Sequence, residues 1–500
     1  MNINSLLLVL TGIIVFTSLQ GQHFMPGFCG VHAEDMELME KLYPNDYKDL
    51  ATYDRSNLIH IPIQFHLVAT NSGSGRIQPN IVLKQLCKLN SDFSNTNIRF
   101  YLYDIFRNID NTAIYSTPAS NGNAIQARKV SKALNVFITD KADPDGALGT
   151  VLGYYNPQGD YVVLTRGEAI KQSNTLSHEI GHFLSLRHTF HGWERDPWSK
   201  AKHGDTIKIR YTLDGDEIEF MNKSNCSTSA DMLCDTPPDY NFGFTSNGCN
   251  YAYEVWDFNK EKVNPQKENQ MSYFSNCAQF VFTPNQVTRM QQNYNSTARN
   301  YLKNNPLPNF DTITGPVNLL QPKAGEQLNV YDGVLFDWED VPNATHYILE
   351  IRNLSSNEYL IVDKSEYYAT NLRKNQQYTY EVTPFSFAHS CSGGTSATFK
   401  TGNLSVTSSE DVFGTMLPNI YPHPVQKGSA FAVHFNLTKS TDVLFEMCDR
   451  NGQLIYTEKA RHDTGQNYQL LQPGSLPSGL YFLKLHTNSG TKAVKVLIIE

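Results

Sequence analysis

From Ile59 to Leu67 the apolar residues Ile59, Ile61, Ile63, Phe65 and Leu67 alternate with His60, Pro62, Gln64 and His66, the period of two that marks a half-buried strand. Pro62 cannot donate a ladder hydrogen bond, which predicts a place at a sheet edge. His60 and His66 read as ordinary strand histidines. Ile81, Leu86 and Leu89 share one side of a predicted helix over Asn80–Phe93, and strands are predicted at Ile98–Leu102, Leu134–Thr139 and Tyr161–Thr165. The acidic, Met-rich stretch Ala33–Leu50 predicts one more helix. This mixture places an α/β or α+β domain up to about Leu302. Lys303–Asp311 carries Pro306 and Pro308 and reads as a linker, to residue 315. Beyond it, short strands punctuated by Gly, Pro and Asn predict two all-β sandwich modules, 316–401 and 418–500, separated by a break at 402–417.

The apolar run Leu6–Phe16, broken only by Thr11 and Gly12, is too short for a membrane-spanning helix of about 20 residues. It predicts a signal peptide over 1–21 and hence export; no other segment is long and apolar enough to span a membrane. Lys plus Arg number 41 against 49 Asp plus Glu, so no basic surplus marks the chain for nucleic acid or anionic lipid. Eight cysteines suit an exported protein. Cys226, Cys234, Cys249 and Cys277 fall in one stretch while Cys29, Cys87, Cys391 and Cys448 are scattered. None forms a CxxC pair, which disfavours a cysteine zinc knuckle and leaves two local disulfides as the plain expectation.

The chemistry concentrates in His178-Glu179-Ile-Gly-His182-Phe-Leu-Ser185-Leu-Arg-His188-Thr-Phe190. On a helix, His178 and His182 lie one turn apart on one face and can reach the same ion. Glu179 flanks them and can take a proton from a metal-bound water without ligating. A continuous helix would carry His188 about 9 Å onward and about 240° around from His182, away from the metal. The helix must therefore stop near Ser185, in the left-handed conformation that costs a non-glycine residue about 1–2 kcal/mol. Relief of that cost predicts that Ser185→Gly stabilises slightly.

This His-Glu-x-x-His-x-x-Ser-x-x-His run resembles the zinc signature of the metzincins, and its His188-Thr-Phe continuation resembles the pappalysin (cytophagalysin) branch. Asn269-Gln-Met271-Ser-Tyr273 with Cys277 and Phe282–Met290 is similar to that branch's Met-turn and following helix. Asp235-Thr-Pro-Pro238, Leu89–Phe93 and Asn97–Phe100 resemble further parts of it, so the match spans roughly Asn57 to Leu302. Ser185 and the polar insertion between Trp193 and Cys226 depart from the pattern. The resemblance implies a metzincin-like catalytic domain over 57–302 and one Zn2+ held by His178, His182 and His188. It further implies Glu179 as general base, Met271 as an apolar floor and Tyr273 as an oxyanion-stabilising hydroxyl; otherwise these last two are a core methionine and a half-buried tyrosine. It also implies disulfides Cys226–Cys234 and Cys249–Cys277. Phe28-Cys29-Gly30 resembles the pro-segment cysteine of the branch, making 22–56 a pro-segment and Cys29 a zinc-blocking latency switch; a disulfide with Cys87 or a bystander thiol stays open. Gly30 is expected to let the backbone pass close to the metal. Calcium is left open by the acidic loops, without EF-hand spacing.

Val334–Trp338 and Tyr347–Ile351, with Trp338 inward and Tyr347, Leu349 and Ile351 along one face, resemble a fibronectin type III domain. Ile420-Tyr-Pro-His-Pro424, Leu476–Lys484 and the closing Lys495–Glu500 resemble the C-terminal sorting domain of the type IX secretion system, which makes that secretion machinery a partner. The expected protein is a secreted or surface-attached zinc endopeptidase acting on proteins or peptides and made as a zymogen. The alternative is a catalytically silent, zinc-stabilised adhesin, which has no need of Glu179.

Overall fold

The computed structural model describes residues 28–31, 33–42, 54–142, 150–404, 413, 418–450, 452–487 and 490–500. The expected signal peptide, the stretch beyond Leu42 that was expected to continue a helix, and most of the 402–417 break lie outside them. The chain divides into two units. One holds the residues up to Thr314 with Pro342–Thr345 and Phe385–Gly393; the other holds Gly315–Val341, His346–Pro384 and Gly394–Glu500.

The first unit is built on a seven-stranded sheet. Its strands are β1 (Phe28–Cys29), β2 (Ile59–Ala69), β3 (Ile98–Leu102), β4 (Arg107–Asp110), β5 (Leu134–Thr139), β6 (Val151–Asn156) and β7 (Tyr161–Thr165). The order is β1-β6-β7-β5-β2-β3, with β4 also on β2. All neighbours run parallel except β6 against β7. Beside the sheet lie α1 (Ala33–Leu42) and α2 (Pro79–Asp92), the latter burying Val82, Leu83, Leu86 and Leu89. Buried on nearly every residue, β2 is an interior strand and not the edge that Pro62 suggested. At Pro62 only β3 is paired, opposite Tyr101, and β5 joins from Ile63 onward, so the missing N–H breaks no ladder on that side. The polar half of the alternation is absorbed by partners: His66 bonds Asn135 at 2.9 Å and stacks on Phe137, while burial pulls its pKa down to about 4. His60 packs on Phe310. No helix among the described residues is long and apolar enough to cross a membrane.

In the second unit, Leu319–Gln321, Val334–Trp338 and Glu366–Ala369 form one sheet. Glu326–Gln327, His346–Arg352, Asn357–Val362, Gln377–Phe385 and Thr395–Lys400 form another. Trp338 is buried, but Tyr347–Ile351 are buried on both faces, Glu350 accepting bonds from Asn357 Nδ2 and Tyr359 Oη. Residues 419–500 make a three-stranded and a five-stranded sheet whose alternating Phe431, Val433, Phe435, Val443, Phe445 and Met447 meet Leu483, Leu485 and Val496 in one core.

Candidate metal centre

Helix α3 (Thr175–Phe183) buries Leu176, Ile180 and Phe183, and its polar residues His178, Glu179 and His182 are buried as well. It stops because Ser185 takes φ +69°. Ser185 N–H donates to His182 O at 2.8 Å and Leu186 N–H to Gly181 O at 2.9 Å, the paired bonds of a Schellman stop. The reversed chain returns His188 to the first two histidines. His182 Nε2 lies 3.1 Å from His178 Nε2 and 3.2 Å from His188 Nε2.

The outward nitrogens decide the protonation of these rings. His178 Nδ1 meets Gln270 O at 2.7 Å and His182 Nδ1 meets Leu186 O at 2.8 Å. A carbonyl only accepts, so both Nδ1 atoms carry hydrogen and the Nε2 lone pairs face inward. Burial, reinforced by neighbouring imidazoles, holds the pKa of His178 down to about 3 and that of His182 far below the ordinary value. Protonation therefore does not relieve the confrontation of lone pairs. A cation does: tetrahedral nitrogen ligands about 2.0–2.1 Å from zinc stand roughly 3.3–3.4 Å apart, close to the spacing here.

Cys29 Sγ joins the three rings, with all four ligand atoms within 4.8 Å of one another. The β1–β6 pairing and a 2.8 Å bond from Gly30 N–H to Gly153 O carry it there. An added Cβ at Gly30 would stand 2.8 Å from Val151 Cγ1, so the glycine lets the segment lie against β6. The Cys29 thiol donates to Glu179 Oε2 at 3.3 Å, and burial followed by the Glu179 charge pushes its pKa up. Glu179 is fully buried with Oε1 unbonded, and burial raises its carboxyl to about 8. Tyr273 Oη donates to Cys29 O at 3.1 Å, and its ring centroid lies 5.1 Å from that of His188. Met271 is wholly buried, and an added Cβ at Gly181 would overlap its sulfur, so Gly181 lets the thioether rest against α3. A cavity of about 500 Å³ opens beside Cys29, His178, Glu179 and Tyr273.

Several supporting residues were invisible in the sequence motif. Glu194 accepts from His188 Nδ1 at 3.0 Å and from Gly192 N–H at 2.7 Å; its hydrogen bonds to His188 and His191 hold its carboxyl well below the usual range despite burial. It orients the third histidine as carboxylates behind metal-bound imidazoles do. Asp239 accepts from both Thr189 Oγ1 (3.1 Å) and Ser272 Oγ (2.7 Å), tying the His188 loop to the Met271 turn. The departing insertion is polar by composition yet buries Trp198, Ile207, Ile218 and Phe220 in an aromatic cluster with Tyr240, Phe242 and Phe274. Disulfides join Cys226 to Cys234, Cys249 to Cys277 and Cys87 to Cys391, leaving Cys29 and Cys448 free and buried.

Ser185 has a second task that reverses the expectation for its replacement. Its hydroxyl accepts from Asn293 Nδ2 on α4 (Pro284–Asn295), and Asn293 Oδ1 in turn accepts from the buried Arg299 at 3.1 Å. Ser185→Gly relieves the left-handed strain but strands a buried amide, a loss of about 1–3 kcal/mol. We expect denaturant unfolding of the variant to show a net loss of about 1 kcal/mol and not a gain; a midpoint at or above the wild type would mean the bond contributes nothing.

Residues 126–295 match the family model described as Pregnancy-associated plasma protein-A, and residues 419–500 match that of the Secretion system C-terminal sorting domain. The chain is 24% identical over 299 residues to an extracellular metalloprotease of Colletotrichum graminicola, covering 53% of this chain and 89% of that protein. It is 25% identical over 257 residues to extracellular metalloprotease 1 of Coccidioides posadasii, covering 46% and 75%. Among solved structures, dimeric latent PorU from Porphyromonas gingivalis matches at 13% identity over 37% of this chain and 20% of that one, with a TM-score of 0.21. The chicken CNTN1 FN1-FN3 domains match at 11% identity over 37% and 68%, with a TM-score of 0.15.

Proposed function

We propose that the metal of this secreted or surface-attached metalloendopeptidase is zinc, residues 126–295 matching the pappalysin-type peptidase model and 419–500 the secretion sorting model. The observation that supports this reading is the convergence of three imidazole Nε2 atoms beside the buried Glu179. His178, His182 and His188 hold the ion. A zinc ion held there would supply Lewis-acid polarisation and lower the pKa of a water. Glu179 would be the base that holds a proton taken from the attacking water, and Tyr273 Oη, released from Cys29 O, would donate to the carbonyl oxygen of the scissile group. The β6 edge, released from β1, takes an extended substrate segment by strand addition. In the latent chain the Cys29 thiol would be a fourth group holding the ion, keeping water from it. Residues 57–302 serve as the catalytic domain, 316–401 as a fibronectin type III-like spacer, and 418–500 as the export signal read by the secretion machinery.

Purified processed protein should digest casein, lose that activity to a chelator and regain it with zinc. No cleavage of casein or of a peptide library would favour the silent adhesin.

A further inference from the structure

Arg187 directly precedes the metal-site residue His188, yet its side chain is only 8% exposed and turns to another task. Its Nε and Nη2 donate to the two Glu40 carboxylate oxygens at 2.8 and 2.7 Å, and Nη1 donates to Ala230 O at 3.3 Å. Glu40 lies on α1, whose Met36 and Met39 are 0% and 1% exposed. The segment carrying β1 and α1 is therefore held at three kinds of contact: the β6 edge, the Cys29 position and this fork-to-fork ion pair.

Phe28–Cys29 takes a place on the sheet edge beside the candidate metal site as an extended peptide would, and α1 follows it against Arg187. A group that receives its side chains is placed to receive those of a substrate. Removal of α1 leaves Arg187 with the Ala230 carbonyl and takes away both carboxylate bonds. A guanidinium so placed presents a planar double donor that fits a carboxylate better than a neutral or cationic group. We propose that Arg187 is a carboxylate receptor of the substrate cleft, docking Glu40 in the latent chain and selecting an acidic side chain of protein substrates once the pro-segment is gone. This rests on the peptidase reading above.

The test has two arms on processed, zinc-loaded protein, with casein digestion as the control for activity itself. In a peptide library the wild type should enrich Glu or Asp at one substrate position. Arg187→Gln should lower the ratio of kcat/KM for acidic over neutral peptides by about tenfold or more, and Arg187→Lys should restore part of it. Casein cleavage without an acidic preference, or a preference that survives Arg187→Gln, overturns the proposal while leaving the peptidase reading intact. In the second arm a synthetic peptide of residues 28–42, kept reduced, is titrated onto the protein. Its Glu40→Gln form should bind at least about tenfold more weakly. Equal binding overturns the proposal, and because this arm reads binding it decides even if casein is not cleaved and the peptidase reading falls.

Discussion

Replacing Glu179 by Gln should lower kcat/KM on casein-derived peptides by roughly 10²–10⁴-fold while the processed protein still carries one zinc. Glutamine keeps the volume of a side chain that is wholly buried, so the packing of α3 against β6 survives. It keeps an acceptor oxygen but has no basic carboxylate to take a proton. The side chains grouped so that they could hold a metal are Cys29, His178, His182 and His188, without Glu179, so metal content should stand. Elemental analysis alongside kinetics separates the outcomes. Retained cleavage would remove Glu179 as the base, and joint loss of zinc and activity would make it a structural residue.

Cys29→Ala in the precursor should raise basal activity on the order of tenfold, or bring on early self-cleavage, because the proposed latency depends on its thiol keeping water from the metal. The increase should stop short of the processed enzyme's activity. The bond from Gly30 N–H to Gly153 O and the Glu40–Arg187 pair do not involve the thiol, so the segment still covers the site for part of the time. Continuous peptide hydrolysis with the freshly purified precursor measures this. A variant as silent as the wild type would mean that coverage by the segment alone produces latency.

Much of the architecture could be read locally, because β3, β5 and β7 advertise themselves as short runs rich in β-branched and aromatic residues and the core of α2 through its helical period. The three histidines were legible for a related reason: helix geometry fixes the first two, and the third demands a chain reversal that φ +69° at Ser185 supplies. What escaped the sequence depends on partners far along the chain. The interior position of β2 arises from where β5 begins to pair, which no residue of β2 encodes alone. Asn293 lies 108 residues from Ser185, and Glu40 lies 147 from Arg187; neither leaves a periodic mark. Glu194 is close in sequence to His188 but follows a turn, where spacing says little about direction.

The bond between Cys87 and Cys391 spans 304 residues, and both cysteines belong to the unit that holds the metal centre. That unit cannot be closed covalently until synthesis has passed the sandwich strands that lie between. A single cut anywhere from Leu302 to Ser390 would consequently separate nothing in an oxidising environment. The two pieces would migrate as one species on a non-reducing gel and come apart only with a thiol reductant. Secreted forms judged intact by size alone can thus already be nicked.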